Sequence, residues 1–97
     1  MSQSKHPGEA PVTIMINRWE RDLILRYGYP FEDIERQLKE AGDADLVRVT
    51  DSPYWWEQVI VNLGISEREM PEIEGDVELS LGVRALIERI ADYIGLL

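Results

Sequence analysis

Residues 53–63, PYWWEQVIVNL, read as a helix with almost no polar side. Ser52 is a good N-cap, and Pro53 suits the first helical position, where its missing N–H costs little. Trp56, Val59, Ile60 and Leu63 then follow the i, i+3, i+4, i+7 spacing of one buried face. At about 100° per residue, Trp55 falls to one side of that face, and Tyr54 and Val61 fall roughly opposite Trp56. Only Glu57, Gln58 and Asn62 are clearly polar along 54–63. A helix apolar nearly all round is normally buried on most sides. Yet 97 residues make one domain with a single modest core. The chain must therefore wrap this helix with almost everything else it has, or leave part of it for a partner. In the first case Trp55, Tyr54 and Val61 meet other helices or the segment 12–16. In the second they form an exposed patch for a protein partner or a second copy, as Trp and Tyr are enriched among interface hot spots.

The remaining pattern predicts an all-α domain of four main helices with one short extended segment. Residues 1–11 read as a flexible polar tail with Pro7, Gly8, Pro11 and the only histidine, His6; residues 12–97 read as one helical domain. Asn17 and Glu20 have capping-box spacing and open a helix over about 17–27. Trp19, Leu23 and Tyr27 share one face of it, and Gly28 suits the left-handed position that ends it. Pro30 starts a second helix with an inner stripe of Phe31, Ile34, Leu38 and Ala41, closed by Gly42. So short a joint predicts an antiparallel hairpin. Residues 43–51 read as an extended connector. Gly64 ends or interrupts the third helix, and Ser66 with Glu69 repeats the capping-box spacing before Pro71. Residues 70–78 read as an acidic loop. A last helix runs from about Ser80 to Ile94, with Val83, Leu86, Ile87, Ile90 and Ile94 inside and Leu79 and Leu97 in phase at its ends. The alternative is an α+β fold in which 12–16, 46–50 and 72–79 pair into a small sheet.

The chemistry within reach is limited. There are no cysteines, so disulfides, thiolate metal sites and a cysteine nucleophile are excluded. One histidine in a tail cannot supply a positioned base or a histidine metal site. No Gly-rich phosphate loop is present, and no cofactor is expected. Setting Gly75 at the sixth position of a calcium loop puts Met70 first and Leu81 twelfth, where carboxylates are required. Paired acids such as Asp43 and Asp45 leave a carboxylate enzyme as the least supported reading, since exposed acids are normally solvated. Arg18, Arg21 and Arg26 alternate with Glu20 and Asp22, which predicts ion pairs along the helix rather than a nucleic-acid surface.

Charge does more. The net charge is −9, and residues 49–97 hold ten acids against three bases. That field disfavours nucleic acid and anionic membranes and favours a basic protein. Glu67, Glu69, Glu72, Glu74, Asp76 and Glu78 are the candidate acidic surface of an inhibitor or immunity-type protein. The start of the chain lacks the apolar core of a signal peptide, no run approaches a membrane span, and the expected location is cytoplasmic. Asp51-Ser52 at a helix start resembles the Asp-Ser-Leu attachment site of acyl carrier proteins, small acidic four-helical proteins that carry a prosthetic group on that serine. The resemblance covers two residues. Pro53 stands where those proteins have Leu, and helix capping accounts for Ser52 without it. The expected function is a non-enzymatic protein-interaction module acting through Tyr54, Trp55 and Val61.

Overall fold

The computed structural model describes residues 10–96, so most of the expected tail, His6 and Leu97 lie outside the described residues. The order is β1 (Val12–Asn17), α1 (Arg18–Leu23) continuing into a π-helical turn (Ile24–Gly28), α2 (Glu32–Glu40), β2 (Leu46–Asp51), α3 (Pro53–Glu69), α4 (Pro71–Glu74) and α5 (Val77–Tyr93). The chain is mostly helical, but the all-α expectation is corrected by a two-stranded antiparallel sheet. β1 and β2 pair from Val12↔Asp51 to Asn17↔Leu46. Two of the three segments suggested for a sheet therefore pair, and 72–79 is helical instead.

The pairing follows the alternation of each strand. Ile14, Ile16 and Val49 are buried, while Thr13, Met15 and Arg48 face out. Thr13 and Thr50 sit opposite each other and join their hydroxyls at 2.8 Å. A two-stranded ribbon has two bare edges, which invite further strands. Here side chains from helices occupy both. Gln37 of α2 accepts from Thr50 N at 2.9 Å and donates to Thr50 O at 2.9 Å, imitating a neighbouring strand. On the other edge Arg89 of α5 donates to Met15 O. α2 thus lies along β2, and that strand, not α1, is its main neighbour; the expected helical hairpin is not the packing unit.

α3 is central, as its composition demands. It meets the π-turn on one side and α5 on another. Trp56, Val59 and Leu63 are fully buried, and the Trp56 Nε1–H donates to Val12 O at 3.1 Å. An i→i+5 turn adds one residue to the helical spacing. Leu23, Ile24, Tyr27 and Gly28 would span about 140° of a straight α-helix, and the wider turn draws these buried residues onto a narrower inward face. Gly28 is not left-handed; Tyr29 is, at φ 42°. Gly28 is small because a β-carbon there would stand 3.2 Å from Val59 Cγ1. Gly42 (φ 58°) closes α2 as expected.

Several further expectations change. α3 runs through Gly64 to Glu69, so Ser66 is interior rather than a cap. α5 begins at Val77, capped by the Asp76 side chain, which accepts from Leu79 N at 3.1 Å. Arg18 and Arg21 do not pair along α1. Arg18 reaches Asp45 at 3.0 Å, and buried Arg21 donates to Ala44 O at 3.2 Å, so both pin the loop that leads into β2. Trp19 lies over Gly82 of α5 rather than in the core; a β-carbon at Gly82 would overlap its ring. Ser52 occupies the N-cap position, yet its side chain makes no cap. Its Oγ is buried without a hydrogen-bond partner among the described residues. A carrier attachment site needs an accessible hydroxyl, and Ser52 is fully buried.

Candidate functional site

The joint between the π-turn and α2 builds the most distinctive surface. Its carbonyls have no partners within the ending helix. α3 supplies them: Ser66 Oγ donates to Tyr27 O at 2.8 Å, and Asn62 Nδ2 donates to Gly28 O at 3.1 Å. Two of the polar side chains on an otherwise apolar helix thus act as caps for another element. This anchoring, with Gly28 pressed on Val59, holds the chain down while it turns. Tyr29 takes up the turn in the left-handed region, costing about 1–2 kcal/mol for a side chain other than glycine. Its following residue is Pro30, which sterically disfavours helical conformations before it.

The outcome is an aromatic cluster. Phe31 is the N-cap residue of α2, just outside the helix, so its side chain leaves the Ile34–Leu38 stripe to which its spacing assigned it. Its ring stacks on Trp55, with centroids 4.5 Å apart and planes 7° from parallel. Tyr54 meets Trp55 edge-on at 4.7 Å and 81°. Trp55 and Tyr54 are half-buried, while Phe31 is 50% exposed and Tyr29 60% exposed. Trp55 is therefore neither core nor a lone exposed ring; it is one layer of a surface stack. Val61 lies on the same side of α3 as Tyr54, about 20° from it by helical phase, and is 46% exposed. Ile65 continues that stripe one turn further. Tyr54 and Val61 thus share one stripe of α3, and Trp55 lies about 100–120° round from them. Phe31, on Trp55, and Ile65, beyond Val61, join them unannounced, and exposed Tyr29 stands two residues before Phe31 in the chain. The signal for Phe31 was its place directly after Pro30, at the cap rather than in the helix.

The acidic candidates separate. Glu67 is not a free acid: Arg84 binds it at 2.6 Å, Ser80 Oγ donates to it at 3.3 Å, and it is mostly buried. Glu72 accepts from the Tyr27 hydroxyl at 3.4 Å, and Asp76 is a helix cap. Glu69, Glu74 and Glu78 are exposed. No group of three or more His, Cys, Asp or Glu is placed to hold a metal ion among the described residues. Nor is any helix among them long and apolar enough to cross a membrane. No family model, no curated protein and no solved structure matches this chain.

Proposed function

We propose that this chain is a non-enzymatic protein-interaction module whose docking surface is the aromatic cluster of Phe31, Tyr54 and Trp55, together with exposed Tyr29 on the turn before Phe31 and Val61 further along α3. The observation that supports it is the exposure of Phe31, stacked on the half-buried Trp55, with exposed Tyr29 two residues before it. Large, stiff rings with polar tips give contact area at little entropic cost, which is why Tyr and Trp dominate hot spots. The left-handed Tyr29 adds a second motive. Glycine would serve the turn better, so a tyrosine kept at a stability cost is best explained by what its ring does outside the domain.

Tyr29→Gly separates the two roles. It relieves the backbone and removes the ring, so stability is expected to rise by about 1 kcal/mol in urea unfolding. The companion measurement is affinity capture from the native host, with retained proteins identified by mass spectrometry. Wild type is expected to hold a partner that both Tyr29→Gly and Trp55→Ala lose, with helical circular dichroism unchanged. The same proteins retained by all three forms, or none retained together with a monomer in light scattering, would sink the reading.

A further inference from the structure

α5 carries a second surface of different character. Val77 is 74% exposed and Leu81 62% exposed, the two most exposed aliphatic side chains described. They stand one turn apart, and exposed Ala85 continues the row for another turn. Trp19 borders it, its ring lying over Gly82. Further along the same side come Glu88 and Asp92, both exposed. Val77, Leu81, Ala85, Glu88 and Asp92 fall within about 80° of one another, so they share one face. This is not the usual polar back of a helix, because the half most open to water is aliphatic.

The charge of this face is uncompensated. α5 has two basic side chains, and each is taken by an acid of another element: Arg84 by Glu67 at 2.6 Å and Arg89 by Glu20 at 2.6 Å. Glu78, Glu88 and Asp92 are left without an ion pair among the described residues. An aliphatic row with carboxylates beside and beyond it is complementary to one kind of occupant. We propose that the outer face of α5 docks a basic amphipathic helix, whose apolar residues seat on Val77, Leu81 and Ala85 and whose Lys or Arg residues pair with Glu78, Glu88 and Asp92. A second copy of this chain is disfavoured there, since two such faces would bring like charges together. The face is about 22 Å long at 1.5 Å per residue, which suits a partner of about four turns.

The surface is distinct from the aromatic cluster. Glu67, which meets α5, lies about 120–140° around α3 from Val61 and Tyr54. The two faces therefore look to different sides.

The test uses the full chain and a dye-labelled Leu/Lys amphipathic peptide of roughly 18 residues, with a Leu/Glu counterpart of the same pattern. Fluorescence anisotropy is expected to show saturable binding of the Leu/Lys peptide at about micromolar Kd, weakening as salt rises, and none of the Leu/Glu peptide. Leu81→Gln, and separately Glu88→Lys with Asp92→Lys, are each expected to weaken it about tenfold or more. Leu81 is a surface position, so the variant keeps the fold, checked by circular dichroism. Trp55→Ala is expected to leave this binding unchanged, which separates its failure from failure of the aromatic surface. Absence of saturable binding, or binding indifferent to Leu81→Gln, overturns the proposal. So does a dimer in sedimentation that Leu81→Gln dissociates, because a second copy would then be the occupant.

Discussion

Trp56→Ala is expected to remove most of the protein's stability at room temperature. The side chain is fully buried at the centre of α3, and truncating a buried tryptophan typically costs about 3–5 kcal/mol. A domain of 97 residues has about 5–15 kcal/mol in total, with small domains near the lower end. The loss is not only volume. The indole N–H donates to Val12 O at 3.1 Å, and truncation removes that tie between the first strand and α3. Trp56→Phe keeps most of the apolar contact but not the donor, and is expected to cost about 1–3 kcal/mol. Urea unfolding followed by circular dichroism measures both. A cost below about 1 kcal/mol for Trp56→Ala would mean that α3 is not the centre of the core.

The second large effect is at Arg89. Its guanidinium forms a fork on Glu20, with Nε to Oε2 at 2.9 Å and Nη2 to Oε1 at 2.6 Å, donates to Met15 O, and stands 5.7 Å from the Tyr93 ring centroid. It therefore joins α5, α1 and the bare edge of β1. Glu20 is already half of the capping box with Asn17, so its position is set before Arg89 arrives. Arg89→Ala is expected to cost about 2 kcal/mol, less than a fully buried pair because a third of the arginine is exposed. Arg36→Ala is the control. Arg36 contacts Asp33 and Glu40 only on the open surface of α2, and its loss should cost under about 0.5 kcal/mol. Equal costs in denaturant unfolding would refute the joining role.

The pH dependence of this pair has a definite sign. The hydrogen bond to Glu20 raises the Arg89 pKa above its ordinary value, more than partial burial lowers it. A raised folded-state pKa gives stability that is fully present below the unfolded value and lost only as pH rises through the folded one. For arginine that window lies in strong alkali, so the cation's contribution is constant across neutral pH.

Much of the domain is legible residue by residue. The capping box of Asn17 and Glu20 forms as its spacing requires, with Glu20 N to Asn17 Oδ1 at 2.7 Å and Asn17 N to Glu20 Oε1 at 3.0 Å. The inner stripes of α3 and α5 are buried where their periods put them. The candidate site was legible only in half. Tyr54 and Trp55 stand out as aromatics on a crowded helix, but their neighbour Phe31 belongs to a different helix 24 positions away from Trp55. Val77 is hidden because the apolar period alone starts α5 at about Ser80, one turn late. The acids of 70–78 suggest a loop, yet Asp76 is there to cap a helix.

What the sequence by itself determined is local: where α1 and α3 begin, which stripe each long helix buries, and that one helix had too little polar surface to stand alone. These depend on hydrogen bonds and spacings within a few residues. Only the tertiary structure decided what pairs across the chain. Thr13 meets Thr50, Gln37 stands in for a missing strand, and Asn62 and Ser66 satisfy the carbonyls of another helix's end. A polar residue gives no sign of whose unpaired backbone group it will answer, because that group is exposed only once the distant element is in place. The same limit holds for the two surfaces. Neither the Trp55 stack nor the bare Leu81 face exists until the core has been filled and these side chains are the ones left outside.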